Sequence, residues 1–540
     1  MSMNGRGKIL IGAAALALIF TAATARADEL CAEPARTAYG QVAGHDADAA
    51  CAYLGIPYAA PPVGGLRWRP PALPAAHEDV LEAGEYGPWC VQPIARGFLT
   101  ASDPKTEISE DCLYLNVWRP QKSGTFPVMF WMHGGGLETG SGNAPMYDGS
   151  RLAGSRDVVV VTINYRIGVF GFLALPALSS EDPHSSSGDY GFLDQIAALK
   201  WVRGNIAAFA GDPDNITVFG ESAGGWSVCN LLVSPLSAGL FHQAVIQSGG
   251  CDAVAPMEQG YAAGEEFAAR MGCGGDGVIE CLRSKPVAEI RADQPKKNDT
   301  NPLDLAAILR YTWLAHRDGW ALPEIPIEAL RAGRFQRVPL LVGANRDEAK
   351  IFTVGMPGVR LAPRPLVRMV VRQSFGDGLL AEIERLYPFS DYRRPADALS
   401  AALGDAMLAC KCFDAAQAAS PFTPVYYYRF DYDRHLAPHL FGAAHALEIP
   451  FIFSTLDRPD MDQFFTERLI AEAAPLSEDM MSYWTNFAKT GDPNGPGLMA
   501  WPRYESSSRS RMYLDLPQSV RATEDAGKCT FWQGQHLKIY

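Results

Sequence analysis

The chain has 540 residues, 48% of them hydrophobic and 20% charged, with a formal net charge of −13. That balance, with no long lysine or arginine run, argues against a nucleic-acid binder held by phosphate contacts, and the apolar share is that of a globular protein. The length would accommodate about three or four ordinary domains, but no linker, charge block, low-complexity tract or repeat divides it, so residues 28–540 are expected to form one unit.

The N-terminus carries Arg6 and Lys8, an apolar run from Ile9 to Ala23, and Ala25-Arg26-Ala27 before Asp28. A charged head, a short apolar core and small residues at the cut describe a cleavable signal peptide over residues 1–27. The run is short for a spanning helix, so the mature protein is expected to be secreted or periplasmic, without a stable membrane anchor. The 11 cysteines suit an oxidising compartment, and their odd number leaves at least one unpaired. No C-x-x-C pair or His/Cys cluster has zinc spacing, so neither metal nor cofactor is expected.

Further along, Phe126 to Met132 reads as a buried strand that ends in His133-Gly134-Gly135-Gly136. Glycines after a strand let the backbone approach a ligand closely, with N–H groups turned inward to hold an oxyanion. Such donors matter because a tetrahedral intermediate concentrates charge on one oxygen, and losing one donor costs roughly 3–4 kcal/mol. Gly135 and Gly136 are the candidates, with the amide of Ala223 as a third.

Ala223 follows a serine in Gly220-Glu221-Ser222-Ala223-Gly224. Upstream, Ile216 to Phe219 reads as a buried strand, and downstream Gly225 to Leu232 reads as an amphipathic helix. A strand turning sharply into a helix tolerates only small flanking residues and pushes the central serine outward. This is a nucleophile elbow, with Ser222 as the nucleophile.

Such a serine needs a histidine base and an acid to orient it, and in this architecture the chain order is Ser, Asp/Glu, His. The strand Arg337 to Gly343 is followed by Asp347 and Glu348, which local chemistry does not separate. Of the histidines after Ser222, His445 lies among small residues, in Phe441 to Pro450, that could leave an imidazole free in a cleft. His435 and His439 lie in a polar stretch that reads as a loop.

Taken together these residues resemble the type-B carboxylesterase and cholinesterase group of α/β-hydrolases. Glu110-Asp111-Cys112-Leu113-Tyr114-Leu115-Asn116-Val117 is similar to one signature of that group, and Asn205 through Gly224 to its serine signature. Asp318-Gly319 with Leu322-Pro323, the Asp347-Glu348 pair, and Gly442 to Phe451 are similar to later landmarks. The resemblance runs from about Gly55 to Trp532. It implies a central, mostly parallel sheet flanked by helices, with large helical insertions over the site from about 253 to 335 and 355 to 440.

The resemblance also implies Glu348 as the acid, Glu221 and Ser248 as polar residues near the histidine, and disulfides Cys90–Cys112, Cys273–Cys281 and Cys412–Cys529. Cys31–Cys51 is a separate, weaker expectation. Two departures stand out: Leu137-Glu138 follows the triple glycine, and Phe209-Ala210-Gly211 replaces a double glycine. The Cys90 to Cys112 loop offers Phe98 but no tryptophan for a quaternary ammonium, which argues against choline esters.

The resulting expectation is a serine esterase acting on small-molecule esters through an acyl-enzyme. Trp226, Tyr311, Trp313, Phe352 and Phe451 are candidate pocket walls. A lipase or transacylase would use the same site, an amidase reading is weaker, and some relatives keep this fold as non-catalytic binding proteins.

Overall fold

The computed structural model describes residues 31, 33–93, 107–293, 311–354 and 356–535. The proposed signal segment and Phe98 lie outside the described residues. Strands in chain order are β1 (His45–Ala47), β2 (Ala50–Pro57), β3 (Tyr114–Pro120), β4 (Phe126–Met132), β5 (Val159–Ile163) and β6 (Gly211–Glu221). They continue with β7 (Gln243–Gln247), β8 (Leu340–Asn345), β9 (Val425–Phe430), β10 (Ser510–Leu514) and β11 (Ser519–Ala522). These form one sheet in the order β11-β10-β9-β8-β7-β6-β4-β5-β3-β2-β1.

All pairings from β5 across to β10 are parallel, and the flanking pairings are antiparallel. Parallel strands need covered faces on both sides, and β4 shows how its sequence meets that need. Val128, Phe130 and Met132 point into one core, while Met129 and Trp131 point into the other. The parallel direction also brings the C-terminal ends of β4, β6, β7 and β8 to one edge, where ligands of such sheets bind.

Helix α1 (Tyr190–Asn205) covers one face of the sheet, and α2 (Ala223–Val233) follows β6 directly. Helix α2 differs from the amphipathic expectation, because every residue from Ala223 to Leu232 is buried. It is enclosed between the sheet and the insertions, so no face of it is left for polar residues. Strand β8 begins at Leu340, later than expected, because Pro339 has no N–H to give a ladder. The first insertion supplies α3 (Met257–Arg270), and the second supplies α4 (Arg364–Phe375), α5 (Pro395–Gly404) and α6 (Cys410–Ala419). No helix of the described residues is long and apolar enough to cross a membrane.

Five disulfides are present: Cys31–Cys51, Cys90–Cys112, Cys229–Cys251, Cys273–Cys281 and Cys410–Cys529. The expected Cys412–Cys529 bond is therefore replaced by Cys410–Cys529. Residues two apart on a helix face different directions. Cys410 sits 4.8 Å, Cα to Cα, from Cys529, whereas Cys412 turns inward and donates its thiol to the Gly249 carbonyl at 3.5 Å. The Cys229–Cys251 bond, which carried no sequence signal, ties α2 to the chain leaving β7.

Candidate active site

Ser222 stands between β6 and α2 with φ 57° and ψ −122°, a conformation in which a side-chain-bearing residue is strained. Its N–H donates to the Gln247 carbonyl at 2.9 Å, which keeps the turn against β7. The flanking glycines are sterically required. A Cβ on Gly224 would lie 2.0 Å from the Met132 carbonyl oxygen, and one on Gly220 would lie 2.6 Å from the Gly224 backbone.

Beside the elbow, Gly135 and Gly136 have φ of 107° and 66°. A Cβ on Gly136 would fall 2.1 Å from the Tyr311 ring, so this glycine admits the aromatic. Among the described residues the N–H groups of Gly135 and Gly136 donate to no protein acceptor, and Ala223 opens α2, where an N–H has no partner within the helix. Behind this loop Tyr165 donates its hydroxyl to the His133 carbonyl at 2.7 Å and stacks on the imidazole at 4.3 Å. His133 Nδ1 lies 2.8 Å from the Gly134 carbonyl and donates to it; burial lowers its pKa to about 4, so the ring stays neutral.

The acid follows β8. Glu348 Oε2 accepts from His445 Nδ1 at 2.6 Å, while Oε1 accepts from the Ser248 hydroxyl and the Asn345 N–H, each at 2.6 Å. Three hydrogen bonds hold this buried carboxylate in place. Its neighbour Asp347 turns away: it pairs with Arg346 at 2.8 Å and Lys350 at 2.7 Å, and its Oδ2 accepts from the Ala443 N–H at 3.0 Å. The Asp347 N–H also donates to the Ala443 carbonyl at 2.9 Å. Asp347 thus pins the acid loop to the loop that carries His445, and burial is overcome by these cations to lower its pKa.

The far side of His445 faces another carboxylate, with Nε2 3.0 Å from Glu221 Oε1. Among the described residues Ser222 Oγ makes no hydrogen bond. Burial alone would lower the His445 pKa, but Glu221 and Glu348 outweigh it and raise it to about 9. Burial also raises Glu221, with Glu448 and Glu348 adding to the effect. The His445 charge opposes that rise, and Glu221 Oε1 makes no hydrogen bond among the described residues.

A polar chain missed by sequence reasoning supports this group. Trp484 Nε1 donates to Gln247 Oε1 at 3.0 Å, and Gln247 Nε2 donates to Glu448 Oε1 at 3.0 Å. Asn345 Nδ2 then donates to Glu448 Oε2 at 2.6 Å and to the Ala444 carbonyl at 2.7 Å. The available signal was positional, since Gln247 and Asn345 end adjacent parallel strands.

Of the candidate wall residues, Trp226 and Tyr311 meet edge to face at 5.2 Å, and Phe352 lies 5.4 Å from the His445 ring. Trp313 is buried against Phe267 of α3, at 6.0 Å. Phe451 does not join them. It is wholly buried in the core on the other face of the sheet, against Phe430, Tyr432 and Phe465, because its short helix packs under the His445 loop. His435 lies in the expected loop but is buried there, with Nε2 donating to the Gly442 carbonyl at 2.8 Å, while His439 is exposed on the short helix Pro438–Phe441.

Residues 32–532 match the model of the carboxylesterase family. The chain belongs to that family. This carboxylesterase is 37% identical over 495 residues to the para-nitrobenzyl esterase of Bacillus subtilis (strain 168), covering 91% of this chain and 96% of that one. It is 39% identical over 482 residues to the fumonisin B1 esterase of Sphingopyxis macrogoltabida, covering 87% and 84%. A solved carboxylesterase of Geobacillus stearothermophilus superposes with a TM-score of 0.80 at 35% identity, over 93% of this chain and all of that one. The fold is that of the α/β-hydrolases, and the protein is a carboxylic ester hydrolase.

Proposed function

We propose that the protein is an exported serine carboxylesterase that works through an acyl-enzyme on Ser222, with His445 as base and Glu348 as its orienting acid. The observation that carries this reading is the 2.6 Å Glu348–His445 pair beside a serine held at φ 57° on a glycine-flanked elbow. His445 Nε2, now beside Glu221, turns to Ser222 Oγ as substrate arrives; such contacts are often loose in unliganded sites. Oγ attacks the ester carbonyl and its proton passes to Nε2. The tetrahedral oxyanion takes the N–H groups of Gly135, Gly136 and Ala223, and collapse expels the alcohol, which leaves with the proton from Nε2. Water repeats the sequence and releases the acid.

Glu221 and Ser248 are assigned as positioning residues, one facing Nε2 at rest and the other holding Glu348. Trp226, Tyr311 and Phe352 form the proposed substrate wall. Glu138 is tied to this wall through the Thr312 N–H at 3.2 Å, and its charge and that of Glu221 both bear on the Tyr311 hydroxyl. This aromatic wall favours neutral esters over polycarboxylate esters. Residues 28–540 are read as one unit, exported through the 1–27 signal; the five disulfides support an oxidising destination.

The test compares wild type with Ser222→Ala on 4-nitrophenyl esters and on an acyl chain ending in carboxylate. The proposal expects turnover of the neutral esters only by wild type, with lower kcat/KM for the anionic one. Ser222→Ala activity within about tenfold of wild type would remove the nucleophile assignment, and a preference for the anionic ester would remove the substrate class.

A further inference from the structure

We propose that a surface pocket separate from Ser222 binds a free amphiphilic monocarboxylate of fatty-acid type, with its carboxylate at Lys200. The pocket has a volume of about 450 Å³ and lies between α1 and the segment from Pro70 to Leu73. That is the size of a small-ligand site, and its walls have the matching character. Leu193, Ile196, Leu236 and Trp320 are apolar surface, and Leu73 is 78% exposed at the rim, an unusual place to leave a leucine.

One group defines the ligand's polar end. Lys200 is the one charged residue among the described lining residues, and it makes no ion pair with any described residue. Of the other polar groups lining the pocket, Asn205 accepts from the Ala38 N–H and donates to the Trp201 carbonyl, and the Tyr58 hydroxyl donates to the Asn164 carbonyl.

The pocket therefore presents a cation above apolar walls, with no carboxylate among its described lining. Such a lining suits an anion on a hydrocarbon tail. A second pocket, of about 280 Å³, shares Pro70 and Trp320 with the first and is lined by Arg69, Glu181 and Asp182, with Glu181 paired to Arg69 and Arg283. Lys200 is the one unpaired cation of the first pocket's described lining, so the head lies there and the tail runs toward Leu73 and Trp320. No residue of the catalytic group lines either pocket, so occupancy would be independent of ester turnover.

Calorimetric titration of the full chain with dodecanoate, below its micelle-forming concentration, tests this. One site is expected, with Kd on the order of 10 µM. Lys200→Ala should weaken it about tenfold, the loss of one charge-assisted contact. Leu73→Asp should weaken it as well, and both variants should hydrolyse 4-nitrophenyl acetate at the wild-type rate. Dodecyltrimethylammonium should not bind. No binding by about 1 mM, equal affinity in Lys200→Ala, or equal affinity for the ammonium would overturn the proposal. So would binding to phosphatidylglycerol vesicles without binding of free dodecanoate, or a heat that survives both variants and disappears when Ser222 is phosphonylated. The two variants keep the result separate from the assignment of Ser222, because neither touches the elbow.

Discussion

Around Ser222 the constraints are local. Gly220, Gly224 and the turn between β6 and α2 are enforced by backbone atoms within a few residues or on the adjacent strand, the Met132 carbonyl above all. Around His445 the constraints come from far along the chain. Glu348 is 97 positions away, its second oxygen is held by Ser248, 100 positions from it, and the two loops are pinned by Asp347 to Ala443. A nucleophile can be set by a tight turn, whereas a base whose proton must move is set by a web of partners that can each be weakened separately.

The largest effects should come from the local half and its direct partner. Ser222→Ala and His445→Ala should each lower kcat by about 10⁶, and the double variant should lose little more, since the residues act as one unit. Steady-state kinetics on a 4-nitrophenyl ester reads this; additive losses would mean that the two do not act together. Glu348→Gln should cost about 10⁴ in kcat, because the amide no longer stabilises the imidazolium.

Asp347→Asn sharpens the contrast. The neighbouring carboxylate touches neither His445 nor Ser222, so its loss should act through loop placement and cost only about tenfold. Equal losses in the two variants, measured side by side, would mean that long-range charge rather than the 2.6 Å contact carries the acid's effect.

The next effect is on pH dependence. Neutral His445 is the base, and two carboxylates raise its pKa to about 9, so kcat/KM should rise with pH toward that value. Glu221→Gln removes one of the charges that favour the imidazolium. The acid limb should therefore move to lower pH; an unmoved limb would mean that the Glu221 charge does not act on His445.

The elbow and the glycine run were legible because their chemistry is written in neighbouring residues. Glu348 was legible only through family resemblance, since Asp347 beside it is the same functional group, and the structure separates them by partner rather than by type. Gln247, Asn345 and Glu448 were invisible as a set because nothing local marks residues that meet through adjacent strand ends. Phe451 and Cys412 were misassigned for a related reason: helix phase decides which core a residue faces, and spacing alone leaves that phase open.

The smallest expected effect is on stability. Ala210 has φ 60°, a left-handed conformation in which a Cβ is disfavoured. Ala210→Gly should therefore stabilise the protein by about 0.5–1 kcal/mol in chemical denaturation, without altering turnover. A loss of stability would show that the Ala210 methyl packs better than its backbone is strained.

The central claim, that Ser222 is a nucleophile activated by the remote half of the site, is tested most directly by organophosphonate labelling followed by peptide mass mapping. The account predicts a single adduct on Ser222, with activity lost in proportion, and much slower labelling in Glu348→Gln. An adduct on another residue, or full ester turnover by protein labelled at Ser222, would contradict it.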